Sequence, residues 1–287
     1  MNLGSSSFGG MTPAVKNLII INVIFYLASL VFFSTFGLAI EDYLGLHLPT
    51  ADAFNPFQLV TYMFLHAYYS PNEGIIFFHL FFNMFALFMF GRMLEMVWGT
   101  KRFLIYYFVT GIGAAVVHVF TQYLEVVPMT NAITHYLNNA SPEALKVFLE
   151  EHLQPMTYEM KYNFNQFVES YNQLIGTDPD RAIALSKDYL VQYRHDYLNS
   201  FVTVGASGAV FGILLAFGMM FPNTQLMLLF PPIPIRAKYF VIIYGLIELF
   251  MGIRNFSMDN VAHWAHLGGM LFGFILIKYW KNRGIYY

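Results

Sequence analysis

Six long apolar runs constrain this chain more than any other feature of its sequence. An apolar run of about 20 residues is long enough to cross a bilayer as an α-helix. Only 11% of the residues are charged, whereas about 25% is usual in a soluble domain. The sequence therefore predicts an all-α integral membrane protein with six transmembrane helices, of which the fifth, at about 14 residues, needs its flanks to cross. The runs are 17–37, 75–94, 103–123, 205–221, 239–252 and 261–280.

The basic residues predict the orientation of these spans, because Lys and Arg near span ends are kept on the cytoplasmic side. They concentrate before the first span, between spans two and three, between four and five, and after six, so both termini are expected in the cytoplasm. The first run is too long for a cleaved signal peptide, and no organelle presequence precedes it, so we expect a bacterial inner (plasma) membrane. The residues are Lys16, Arg92, Lys101, Arg102, Arg236, Lys238, Lys278, Lys281 and Arg283.

A polar segment separates spans three and four. It contains ten acidic and five basic residues between positions 125 and 196, which predicts a soluble helical insertion on the extracytoplasmic side. Ser141-Pro142 and Asp178-Pro179 are typical of helix starts, and three amphipathic helices are expected, with 156–174 as the middle one. Whether their apolar faces pack together, cover the bundle or meet a substrate stays open. The predicted domains are spans one to three at 1–127, the insertion at 128–200, and spans four to six at 201–287.

Polar residues inside a bilayer are costly, so each one in a span is a functional candidate. His79 and Asn83 are four residues apart in span two and share a helix face. Ser207 opens span four, where backbone N–H groups lack helical partners, and the flanking Gly205 and Gly208 permit close approach of another backbone. His266 enters span six from the same side of the membrane.

These residues predict serine chemistry, with Ser207 as nucleophile and His266 as its base. His79 and Asn83 can donate hydrogen bonds to an oxyanion. No acidic residue is obviously placed to orient His266, so a dyad is expected, with Phe211 stacking on the imidazole instead. Among the other intramembrane polar residues, His263 is interpreted as a rim residue. Glu248 is interpreted as a structural hydrogen-bonding group, with a role in lining the cavity or the substrate entry left open.

Four motifs taken together resemble the rhomboid family of intramembrane serine proteases. They are HLFFN at 79–83, GRMLE at 91–95 followed by Trp98-Gly99, GASG at 205–208, and AHLGGMLFG at 265–273. The resemblance covers about 17–281 without the insertion. It implies a six-helix rhomboid-type bundle, a Ser–His dyad and no metal or cofactor. It also implies single-span membrane proteins as substrates, cut in or near the transmembrane helix at helix-breaking residues.

The resemblance also assigns roles to residues at matching positions. Ser207 and His266 match the nucleophile and base, while His79, Asn83 and the Ser207 backbone N–H match the oxyanion hole. The other matches are structural: Glu95 ties the cytoplasmic end of span two, and Gly269 and Gly273 let span six pack against span four. There are two departures. Phe57-Gln58 stands where the family often has Trp-Arg, and Phe211 stands where Tyr is common.

Composition and motif content exclude several other classes. The chain has no cysteine, so disulfides and thiolate chemistry are impossible. Its net charge of −2 and scattered basic residues offer no footprint for nucleic acid. HExxH is absent and the spans contain no aspartate, which argues against zinc and aspartyl proteases. The alternatives are a catalytically inactive rhomboid-like protein that binds transmembrane clients, and a small transporter. The oligomeric state stays undetermined.

Overall fold

The structure is a computed structural model that describes residues 10–70, 74–153, 157–227, 232–254 and 261–284. It is mostly helical. Two short hairpins join helices, one from β1 (Tyr69–Ser70) and β2 (Gly74–Ile75), the other from β3 (Gln225–Met227) and β4 (Pro234–Arg236). The helices are α1 Pro13–Phe36, α2 Glu41–Leu44, α3 Gln58–Thr61, α4 Phe78–Ala86, α5 Arg92–Trp98, α6 Thr100–Asn138, α7 Pro142–His152, α8 Tyr158–Leu174, α9 Pro179–Asn199, α10 Ser207–Met220, α11 Ala237–Arg254 and α12 His263–Asn282.

Each of the six apolar runs contains a helix, and three of the described helices are long and apolar enough to cross a membrane. These are α1, α6 and the continuous helix Phe78–Trp98, in which a π-helical turn joins α4 to α5. The fifth run was expected to need its flanks, and α11 does extend beyond it on both sides to 18 residues, because Lys and Arg in those flanks are good helix formers. The protein is an integral membrane protein.

The chain forms two compact units. The first comprises the described residues of 1–46, 56–118 and 203–287, and the second comprises 47–55 and 119–202. Helix α6 contributes to both, and it continues through Pro128 to Asn138. The boundaries predicted from the sequence remain predictions.

Helix α10 is buried on all sides within the first unit, as expected for a helix that is apolar all round. It packs along α12, where Gly269 lies so close to the Gly208 backbone that a Cβ would collide with it. Gly208 itself faces Ala114 of α6. The prediction for Gly273 is wrong: although it lies four residues after Gly269, a Cβ there would meet Tyr106 and Thr110 of α6 before any atom of α10.

Glu95 links two helices of the first unit. Its carboxylate accepts hydrogen bonds from the backbone N–H groups of Ala14 (2.9 Å) and Val15 (3.0 Å), in the first turn of α1. The Thr100 hydroxyl donates to the same carboxylate at 2.7 Å. The negative charge therefore lies at the positive end of the α1 dipole, where it is stabilising. This is a structural role, as the sequence predicted.

The Phe57-Gln58 pair divides into an exposed ring and a buried amide. Phe57 is exposed, whereas Gln58 is buried and donates to the Tyr43 carbonyl oxygen at 3.1 Å. Gln58 thus links the start of α3 to α2 within the first unit.

The second unit has its own hydrophobic core. Ser141 and Asp178 cap α7 and α9 as predicted, since each side chain accepts from a first-turn N–H group. Helix α8 begins at Tyr158 after the cap Thr157, and Met156 lies outside the described residues. The apolar faces pack together, which is one of the three arrangements that the sequence left open. The core consists of Leu48, Ala51, Val126, Met129, Ile133, Tyr136, Leu145, Phe148, Met160, Phe167, Leu190, Tyr193 and Tyr197.

Candidate active site

Ser207 is the first residue of α10, and a glycine turn directs the chain into that helix. Gly205 has φ 132°, a conformation that side chains other than hydrogen rarely permit. Its N–H donates to the Tyr62 carbonyl oxygen at 3.0 Å. Ala206 precedes the helix without a side-chain cap. The N–H groups of the first turn therefore lie at the positive end of the helix dipole without a capping side chain from Ala206.

The structure brings Ser207 and His266 into hydrogen-bonding contact. His266 Nε2 lies 2.8 Å from Ser207 Oγ, and the histidine is buried in α12. Phe211, one turn after Ser207, stacks on the imidazole with ring centroids 4.0 Å apart and an interplanar angle of 8°. Phe211 thus covers one face of the His266 imidazole, as the sequence predicted. The Nε2 atom of that imidazole is directed at the Ser207 hydroxyl.

The expectation that no acidic residue orients His266 is wrong. Glu248 of α11 is buried, and its Oε2 accepts a hydrogen bond from His266 Nδ1 at 2.8 Å. The sequence offered a signal for this contact, because an intramembrane carboxylate requires a partner and span six carries two imidazoles. Spacing along the chain could not show that α11 and α12 bring these groups together.

His263 is also placed differently from its interpretation as a rim residue. Its Nδ1 lies 2.6 Å from the same Glu248 oxygen, and only about a tenth of its side chain is exposed. His263 and His266 are three residues apart on α12, so both reach one carboxylate. Ligand atoms of these two residues and Glu248 lie within 4.8 Å of one another, so a cation that favours imidazole and carboxylate could bind here.

His79 presents a hydrogen-bond donor close to the serine. The Ala67 N–H donates to His79 Nδ1 at 3.2 Å, so a neutral His79 has its proton on Nε2. If residue 205 carried a Cβ, that atom would lie 3.1 Å from His79 Nε2 and 3.6 Å from Ser207 Oγ. A side chain at residue 205 would therefore fill the space that His79 and Ser207 share.

Asn83 is buried one turn after His79. Its Nδ2 donates to the His79 carbonyl oxygen at 2.8 Å, a bond that uses one of the two hydrogens on that nitrogen. The described side chains of Asn83 and Ser207 form no direct hydrogen bond with each other. Asn83 fixes the turn of α4 that presents His79.

Two histidines that the sequence left without a chemical role lie around the site. The ring of His66 packs edge-on against His79 at 5.1 Å. Burial lowers the pKa of His66 to about 3, so it adds no positive charge beside His79 at neutral pH. His118 Nε2 lies 2.8 Å from the Thr203 hydroxyl, four residues before Ser207. Both brace the walls of the site.

Comparisons with known proteins identify the family of this chain. The Rhomboid domain matches residues 53–132 and 182–282, so the chain belongs to the rhomboid family. It is 29% identical to the human mitochondrial presenilin-associated rhomboid-like protein over 196 residues, 61% of this chain and 50% of that protein. The bovine protein of the same name gives the same identity and shares.

A fungal relative also matches. An uncharacterized mitochondrial rhomboid protein of Schizosaccharomyces pombe is 34% identical over 89 residues, 29% of this chain and 22% of that protein. The chain spans about half the length, or less, of the curated relatives that it matches. No solved structure matches it significantly.

Proposed function

We propose that this protein is an intramembrane serine endopeptidase. It hydrolyses peptide bonds in or near the transmembrane helix of single-span membrane proteins, without a metal or cofactor. The observation that carries the proposal is the 2.8 Å contact between Ser207 Oγ and His266 Nε2 at the uncapped start of α10. A nucleophile within hydrogen-bond reach of an oriented base is the arrangement that acyl transfer requires.

The reaction follows from these contacts. His266 Nε2 accepts the hydroxyl proton as Ser207 Oγ attacks the scissile carbonyl carbon, and it returns that proton to the leaving amine when the C–N bond breaks. A water molecule, deprotonated by the same nitrogen, then hydrolyses the acyl-enzyme and restores the serine. Phe211 keeps the imidazole plane fixed through both proton transfers.

The negative charge on the former carbonyl oxygen needs donors that are already in place. We assign the Ser207 N–H, at the dipole end of α10, and His79 Nε2–H to this role. Asn83 contributes the second hydrogen of its amide, as the family resemblance implies. Each such donor is worth about 10²- to 10³-fold in kcat.

The membrane arrangement that suits this chemistry has six spans with both termini in the cytoplasm. Helices α10, α11 and α12 pack together within the first unit, which also holds α1, the continuous helix Phe78–Trp98 and the part of α6 up to His118. Residues 128–200 are proposed as an extracytoplasmic insertion. The sequence favours a bacterial plasma membrane, whereas the curated relatives are named as mitochondrial proteins, so membrane identity requires localisation of the tagged chain.

The test is cleavage of a fluorescent single-span protein by the purified full chain in liposomes. We expect the wild type to cut, and Ser207→Ala and His266→Ala to fall to background. A fluorophosphonate probe should label the wild type and leave Ser207→Ala unlabelled. Ser34→Ala and His135→Ala are matched controls, because both residues are exposed and distant in sequence from the site.

Two results would contradict the proposal. One is a wild type that neither cuts nor reacts with the probe, and the other is undiminished cleavage by Ser207→Ala. If the wild type binds the single-span protein without cutting it, the client-binding alternative takes the place of the protease.

A further inference from the structure

A single carboxylate oxygen joins two histidines behind the nucleophile. Glu248 Oε2 lies 2.8 Å from His266 Nδ1 and 2.6 Å from His263 Nδ1. The other nitrogen of His266 contacts Ser207 Oγ at 2.8 Å. The polar atoms thus form an unbroken row from carboxylate to imidazole to hydroxyl, extended beyond the carboxylate by His263.

We propose that Glu248 is a positioning residue that makes the dyad a Ser207–His266–Glu248 triad, with His263 as a second donor that anchors the carboxylate. This inference rests on the proposed protease function. It adds a residue from α11 to a site otherwise built from α4, α10 and α12.

The first effect of Glu248 is on the tautomer of His266. A neutral imidazole carries one hydrogen, and the other nitrogen is an acceptor. A carboxylate can only accept, so it requires the hydrogen of His266 on Nδ1. This leaves the Nε2 lone pair directed at Ser207, which is the form that can remove a proton.

The second effect is on charge. When His266 takes the serine proton it becomes a cation in a buried site, where charge interactions are stronger than in water. Glu248 lies at hydrogen-bonding distance from that cation and needs no rearrangement to stabilise it. A fixed carboxylate therefore favours the step in which the charge develops.

His263 explains how the carboxylate is retained in place. A buried charge is costly unless several hydrogen bonds compensate it. His263 and His266 supply two donors to one oxygen, and both bonds are of the charge-assisted kind.

Tyr244, one turn before Glu248 on α11, packs on Phe211 at 5.1 Å, and Phe211 stacks on His266. The imidazole is therefore held at both nitrogens and on one face.

The test compares Glu248→Leu and Glu248→Gln with wild type in the liposome assay. Leu offers no acceptor, and loss of the correct tautomer in a triad costs about 10⁴ in kcat, so we expect a fall of about 10²- to 10⁴-fold with KM within about twofold. Glu169→Gln, an exposed glutamate of α8, is the matched control.

Glu248→Gln separates the tautomer of His266 from the charge beside it. An amide oxygen has two lone pairs, so it can accept from both imidazoles as the carboxylate oxygen does, and the hydrogen of His266 stays on Nδ1. We therefore expect Glu248→Gln to keep a kcat about tenfold or more above that of Glu248→Leu, with KM unchanged. A purely structural contact would not rank kcat by the acceptor at residue 248 while leaving KM unchanged.

Several outcomes overturn the inference. One is a kcat for both variants within about threefold of wild type; another is a Glu248→Gln variant as slow as Glu248→Leu. A third is wild-type activity that disappears in EDTA and returns with Zn²⁺, because the three side chains would then hold a metal. In the first two cases the wild type cuts and the protease proposal survives; the third also removes the metal-free part of that proposal, and an inert wild type removes both.

Discussion

The two units of this chain expose different kinds of residue. The first unit buries large side chains such as Tyr62 and Tyr107, with glycine and alanine allowing close helix contact around α10, and it exposes large apolar side chains such as Ile24 and Leu246. The second unit buries large aromatic residues and exposes its charges. The difference reflects the solvent: lipid accepts exposed apolar side chains, so helices there associate through close backbone contact, whereas water drives apolar side chains together.

The helix starts differ in the same way. Helices α7, α8 and α9 each begin with a side chain that accepts from their own first turn. In the first unit, α1 is capped by Glu95 from another helix, and α10 begins after Ala206 without a side-chain cap. Helices α4 and α12 also begin without a side-chain cap, so the three helices that carry His79, Ser207 and His266 all start without one.

The largest contrast is expected from truncating one apolar side chain in each unit. Phe148→Ala empties a buried position of the second unit and should destabilise it by about 3–5 kcal/mol. Ile24→Ala shortens a side chain exposed on α1 and should cost under about 1 kcal/mol. Hydrogen exchange of α7–α9 and of α1 measures each effect locally. Equal acceleration of hydrogen exchange by the two substitutions would contradict the difference between the two units.

Alanine substitutions at two glycines test the close helix packing of the first unit. Gly269→Ala places a Cβ against the Gly208 backbone, which should cost about 1–3 kcal/mol by overpacking. Because Gly208 adjoins Ser207, cleavage should also fall by about 10²-fold through misplacement of the nucleophile. The control is Gly176→Ala, where a Cβ meets nothing within 4 Å. Melting temperature and cleavage rate are the measurements, and an unaffected Gly269→Ala would contradict the packing argument.

The sequence predicted much of the fold because apolar length and helix caps are local signals. The six runs contain helices, and Ser141 and Asp178 cap theirs as predicted. The predictions from the sequence were wrong where the contact depends on which helices pack against each other. The partner of Gly273, the carboxylate behind His266 and the burial of His263 all follow from the packing of α6, α11 and α12, and spacing within one helix carries no information on that.

The smallest expected effect concerns the cap of α7. Ser141→Ala removes the oxygen that accepts from the Ala144 N–H at 3.1 Å, which should cost about 1 kcal/mol, while Ser141→Asp should retain most of the stability. Exchange of the first-turn amides of α7 measures both. The variant gives α7 an alanine where α10 naturally has Ala206, so the measured loss estimates the stability that α10 lacks at its start. If Ser141→Ala exchanges like wild type, a missing cap has no cost in this chain, and the uncapped start of α10 ceases to be a sign of function.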